Sequence, residues 1–187
     1  MKKLTAVTLS LFFIMGLAHH LSANTFKIGG FLSYYAVSDS VFKEVYEDGG
    51  LMFGGSLSFD VIKEFEIRVE ANYFQNKGQM TLTKEEPYFS IVPLVLGARI
   101  KLLDRKISPY MGSGVDYCLY KEELPERFEQ VSETVVGFHV EAGVYVNVLK
   151  SLFLDLNFRY IQADAKPFDE TIKLGGWRAG LGIGFQF

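Results

Sequence analysis

His139 and Glu141 stand two residues apart in a segment of alternating polarity, on the same side of it. A histidine beside a carboxylate is the acid–base half of many hydrolytic sites, and it needs a nucleophile or an activated water within hydrogen-bond reach. No serine stands in a recognisable motif beside this pair. Cys118 is the only cysteine, which excludes an intramolecular disulfide and a multi-cysteine metal site. Its parity places it with the polar residues, as a packed thiol. Metal-ligand spacings are missing, and the glycines follow strand parity instead of opening a helix as a phosphate-cradling loop does. The expectation is a protein without catalytic residues, cofactor or metal.

The richer chemistry is ionic. Lys27, Arg68, Arg99, Lys101, Arg159 and Arg178 share one strand parity with Asp60, Glu66, Glu70, Asp116, Glu141 and Asp155, and His139 falls among them. The two signs are equal in number. Charges crowded into a narrow interior need partners, so a mutually paired network is expected, with a polar path for ions or small solutes as the alternative.

The elements that carry these charges have a period of two. Trp177, Ala179, Leu181, Ile183, Phe185 and Phe187 alternate with Gly176, Arg178, Gly180, Gly182, Gly184 and Gln186. Leu152, Leu154, Leu156, Phe158 and Tyr160 alternate with Phe153, Asp155, Asn157, Arg159 and Ile161, and similar runs recur upstream. Such runs are strands with one apolar and one polar face. Eight are expected, near 25–38, 50–61, 64–76, 88–102, 107–120, 134–148, 152–163 and 173–187. Tight connections near 62–63, 103–106 and 149–151 alternate with longer polar ones near 39–49, 77–87, 121–133 and 164–172. Short turns at one end and long loops at the other describe a transmembrane barrel with its turns toward the periplasm. Pro93 removes a ladder donor inside the fourth run, which predicts a bulge or a break, and with it a lateral opening for an apolar solute.

The apolar faces of the odd-numbered strands begin at Phe26, Phe65, Pro109 and Leu152, and eight residues on stand Tyr34, Tyr73, Tyr117 and Tyr160. Eight residues of tilted strand climb roughly 20 Å, close to the apolar band of a barrel rimmed by aromatic girdles. Tyrosine suits such a rim because its ring is apolar and its hydroxyl seeks water. Trp177 falls at the same rim. Sidedness follows from volume: about five bulky apolar side chains per strand overfill a bore that eight strands leave only just wide enough for side chains. The opposite face is rich in glycine, which suits a crowded interior. The apolar face therefore meets lipid, and the soluble, inward-turned alternative is disfavoured.

Export is expected first. Met1-Lys2-Lys3 precedes an uncharged apolar run, Leu4 to Ala18, with small residues offering cleavage after Ala18 or, preferably, Ala23. The organisation is then a signal peptide over 1–23 and one barrel domain over 24–187. The formal charge of −3 gives no broad basic field for nucleic acid. Glu122, Glu123, Glu126, Glu129 and Glu133 mark a hydrophilic loop, while Phe42, Val45, Tyr46 and Phe128 add apolar groups suited to an extracellular partner.

The last eight residues, Gly180 to Phe187, resemble the C-terminal signal read by the outer-membrane barrel-assembly machinery. Gly182, Phe185 and the terminal Phe187 match it, while Gly180 stands where a polar side chain is usual. The stretch Ile107-Ser108-Pro109-Tyr110-Met111-Gly112-Ser113-Gly114 is similar to strand starts in small outer-membrane β-barrel families, those of the OmpA barrel, OmpW and OmpX. The resemblance implies an eight-stranded antiparallel up-and-down barrel in the outer membrane of a Gram-negative-type bacterium, in contact with its lipid and lipopolysaccharide. It implies a structural or surface-exposed role, with a narrow channel or carrier of small solutes as the alternative and a lipid-acting enzyme third. No further domain is expected beyond the barrel.

Overall fold

The alternation resolves into a closed antiparallel barrel. A computed structural model describes residues 25–39, 46, 49–78, 87–103, 105–124, 129–165 and 172–187. The expected leader and the loop residues Phe42, Val45 and Phe128 lie outside the described residues. The strands are β1 (Phe26–Val37), β2 (Gly49–Ile62), β3 (Phe65–Lys77), β4 (Tyr88–Lys101), β5 (Ile107–Leu124), β6 (Glu129–Asn147), β7 (Leu152–Gln162), β8 (Asp164–Ala165), β9 (Ile172–Lys173) and β10 (Gly176–Gln186). Eight of them form the barrel, each beside its sequence neighbour, and β10 closes onto β1. Closure removes every sheet edge, the condition for crossing a bilayer with strands. At the seam Phe26 and Phe187 exchange backbone hydrogen bonds of 3.2 and 2.9 Å, so the terminal aromatic is part of the ladder. Among the described residues no helix is long and apolar enough to cross a membrane.

Two expectations change and a third is met in part. The β5–β6 hairpin continues to Leu124 opposite Glu129, so the expected loop over 121–133 shrinks to the connection 125–128. Charged residues there keep pairing because an antiparallel ladder needs only backbone groups. The connection after β7 carries its own small hairpin, β8 against β9, tied back by the Lys173 amide donating to Asp39 at 2.9 Å. At Pro93 the structure has the expected break, without a bulge. The β3–β4 ladder is interrupted at Asn72 and Tyr73, but Ala71–Leu94 and Phe74–Ile91 keep one register across the gap, and the Asn72 amide donates to the Pro93 carbonyl at 3.5 Å. The register shift lies instead between Asp60 and Ile62, next to the tight β2–β3 turn.

The faces part cleanly. Outward residues such as Leu32, Phe138, Val140 and Leu181 are more than half exposed, while inward Arg99, Arg159 and Arg178 are at most 1% exposed. In water this would be an inside-out protein, since arginine is almost never buried unless paired and wide apolar patches are rare on soluble monomers.

Candidate functional site

The inward side chains form three groups along the bore. At the short-turn end Tyr110, Tyr145 and Phe153 form an aromatic trio, with ring centroids 4.9 Å (Tyr110–Tyr145) and 5.4 Å (Tyr145–Phe153) apart. They fit because glycine stands beside them: a Cβ on Gly143 would strike the Tyr110 ring, and one on Gly184 would meet the Phe153 ring. The ionic network begins at the same level, where Lys27, Asp60 and Lys101 flank the trio, and continues above it. The long-loop end is closed by an apolar cluster that includes Tyr35, Val37, Met52, Phe74, Phe89, Ile91, Tyr120 and Ile161.

The ionic layer gathers all thirteen charged or titratable positions expected in the lumen, each buried. Lys27 donates to Asp60 at 2.7 Å and to Glu66 at 2.6 Å, and Lys101 holds the other Asp60 oxygen at 2.8 Å. Arg99 is the hub. Its Nε and Nη2 grip Glu141 at 2.7 and 2.9 Å, its Nη1 reaches Asp155 at 3.0 Å and the Tyr145 hydroxyl at 2.5 Å, and its guanidinium lies 4.2 Å from the Tyr110 ring centre. Arg159 bridges Glu70 and Glu141, both at 2.8 Å. Arg68 binds Glu70 at 2.6 Å, and Arg178 reaches Glu70 at 3.2 Å and Asn72 at 3.3 Å. Tyr110 donates to Asp155 at 2.6 Å and Tyr145 to Glu66 at 2.7 Å. Planar guanidinium forks suit such bidentate contacts, and Arg–carboxylate bonds are among the stronger hydrogen bonds in proteins. Most of these buried charges satisfy one another, while Arg178 Nε and one Asp116 oxygen make no hydrogen bond among the described residues.

His139 and Glu141 share a face but not a site. The His139 ring contacts Asp116 through Nδ1 at 2.5 Å, while Glu141 is committed to Arg99 and Arg159. The cause is register: His139 stands opposite Gly114, where a Cβ would strike its ring, and the bare glycine lets the imidazole lean toward Asp116 two residues along. Its Nε2 makes no hydrogen bond among the described residues. Cys118 is a buried free thiol within the apolar cap. Among the described residues no three His, Cys, Asp or Glu side chains converge as metal ligands would.

Sequence reasoning overlooked the aromatic partners. Phe31 lies under Arg178 and Arg68 at 5.0 and 5.8 Å, and Tyr110 and Tyr145 complete the network. Strand parity was the available signal, since these rings share the face of the charges. On the outer face Tyr34, Tyr117, Tyr160 and Trp177 are exposed and Tyr73 is half-buried. Trp177 packs on Tyr160 at 4.5 Å and on Phe158 at 5.0 Å. Gly182 points inward against Phe31, and Phe185 and Phe187 point out.

A closed barrel with an apolar exterior and a paired ionic interior defines a transmembrane β-barrel protein. The chain belongs to the family described as outer membrane protein beta-barrel domain, whose model matches residues 4–185. It is an outer-membrane protein. By fold it is similar to OprG of Pseudomonas aeruginosa (TM-score 0.70, 14% identity, 90% of this chain and 97% of that one). It is also similar to Neisserial surface protein A (0.63, 16%, 87% and 97%) and to the Escherichia coli outer membrane protein W (0.57, 12%, 90% and 100%). No curated protein matches the chain by sequence. With the family known, the short turns and both strand termini of the barrel face the periplasm and the long loops face outward.

Proposed function

We propose that this protein is a closed, non-catalytic outer-membrane scaffold with a structural or surface-exposed role. The observation that carries the reading is the filled bore: the Arg99 hub and the apolar cap of Phe74, Met52 and Ile91 occupy successive levels of one lumen. Eight strands enclose a space that side chains fill, so a paired network and a greasy cap leave ions no hydrated path. The same burial speaks against hydrolysis, because His139 is 3% exposed and sits inside the wall. In this reading residues 1–23 are the export leader, and Gly182, Phe185 and Phe187 present the assembly signal to the barrel-assembly machinery. The aromatic girdle of Tyr34, Tyr73, Tyr117, Tyr160 and Trp177 seats the barrel at the outer rim, and the loops offer the surface for an extracellular partner.

A carrier of small apolar solutes draws support from one feature, the ladder gap opposite Pro93 and Val92. Behind that gap stand Phe74, Ile91 and Met52, each at most 2% exposed, so a passing solute would have to displace them. Planar-bilayer recording tests the closed reading: the purified protein is expected to give no single-channel steps. Reproducible steps whose size changes in Arg159→Ala would replace the scaffold with a channel.

A further inference from the structure

On the periplasmic rim the β4–β5 and β6–β7 turns stand side by side. They carry three cations, Arg105, Lys106 and Lys150, against one acid in their sequence, Asp104. All three cations are exposed, and among the described residues none of their side chains takes an ion pair or a hydrogen bond. The backbone beneath them is tied between the turns. The Ser108 hydroxyl donates to the Arg105 carbonyl at 2.8 Å, and the Asn147 side-chain amide donates to the same carbonyl at 3.1 Å. The Asn147 backbone amide donates to the Lys106 carbonyl at 2.8 Å, and the Gln186 side chain donates to the Lys150 carbonyl at 2.9 Å. Neighbouring hairpins set the two turns roughly 10 Å apart, twice the strand spacing. A ligand therefore meets cations on backbone that is already ordered.

The same turns carry outward apolar groups: Leu103, Val148 and Leu149 are 48%, 47% and 63% exposed. The next turn round the rim differs, because Lys63 there is followed by Glu64. Free cations beside exposed apolar side chains, where acyl chains give way to headgroups, match an anionic amphiphile better than a soluble polyanion. A guanidinium and two ammonium groups suit phosphate oxygens. A zwitterionic headgroup brings an ammonium of its own, which three cations repel. We propose that this arc of the rim binds an anionic phospholipid of the periplasmic leaflet, its phosphodiester held by Arg105, Lys106 and Lys150 and its acyl chains lying against Leu103 and Leu149. Phosphatidylglycerol and cardiolipin share this chemistry. The inference does not depend on whether the lumen conducts.

The test is native mass spectrometry of the delipidated, folded protein in detergent, titrated with phosphatidylglycerol, cardiolipin or phosphatidylethanolamine. Retention of one anionic lipid in preference to phosphatidylethanolamine is expected. Tighter retention of cardiolipin assigns a phosphate to each turn and equal retention a single phosphate; either upholds the site. Each lysine or arginine near a membrane surface is worth about fivefold in affinity, so Arg105→Gln with Lys106→Gln and Lys150→Gln should weaken retention on the order of a hundredfold. Lys63→Gln, beside Glu64, should shift it by less than about twofold. Equal retention of phosphatidylglycerol by wild type and the triple variant, or phosphatidylethanolamine held as tightly, overturns the proposal. So does co-sedimentation with purified peptidoglycan that the triple variant loses while keeping its lipid, which would give the cations to a carboxylate polymer. The three side chains are exposed and the turns are held through backbone carbonyls, so the variant is expected to fold, and the electrophoretic shift of the folded barrel checks it.

Discussion

Replacing Arg99 with alanine is expected to lower the unfolding free energy of the reconstituted barrel by about 3–5 kcal/mol, the range for breaking a buried pair by removing one partner. Arg99 is fully buried and joins Glu141, Asp155 and Tyr145. Without it Glu141 retains Arg159, and Asp155 retains Tyr110 and a longer contact to Arg68 at 3.4 Å. The layer would then hold an uncompensated negative charge in a space that excludes water. Urea titration in lipid vesicles, followed by the electrophoretic shift between folded and unfolded barrel, reads the loss. Adding Glu141→Ala to Arg99→Ala should restore part of it, because the excess negative charge is then gone; strictly additive losses would mean the two residues are not coupled. Lys101→Ala, which removes one contact to Asp60 at a position 8% exposed, should cost clearly less.

The second large effect concerns the opposite face. Leu181→Arg should destabilise the barrel by about 2–4 kcal/mol, since arginine at the lipid face of a barrel carries that cost near the bilayer midplane. Leu181 lies midway along the outward row of β10, between Trp177 at the outer rim and Phe185 near the periplasmic end, and is 53% exposed. The same charge at Thr134, an exposed position on β6 beyond Val136 and next to Leu119, should cost about 0–1 kcal/mol, because the penalty vanishes near the interface. A soluble barrel would tolerate both changes alike. The Arg99 and Leu181 experiments probe one division from its two sides.

Much of this division was legible in sequence. A period of two assigns every residue of a half-lipid strand to a side, and each of the thirteen charged or titratable positions placed inward by parity is buried in the structure. Parity does not reveal which charges meet. His139 finds Asp116 and not Glu141 because β5 and β6 pair in a register that sets Gly114 beside the imidazole. That register is a property of two strands at once. The cap was also hidden: Phe74, Phe89, Ile91 and Val135 have the polar parity, yet they lie above the charges, where apolar side chains seal the bore. The β5–β6 extension escaped because Lys121, Glu122 and Glu123 show no alternation, and only the ladder itself holds them as strand. At Pro93 the ladder breaks as its missing donor implies, but without a bulge, since the register is the same on both sides of the gap and the Asn72 side-chain amide donates to the Pro93 carbonyl.

Sidedness is tested most directly by spin labels at Phe138, Val140 and Leu181 in the protein reconstituted in lipid. The account predicts strong relaxation by dissolved oxygen, weak relaxation by a water-soluble nickel chelate, and depth greatest at Leu181. Ready collision with the chelate at all three positions would place the apolar face in water and contradict the membrane-spanning barrel.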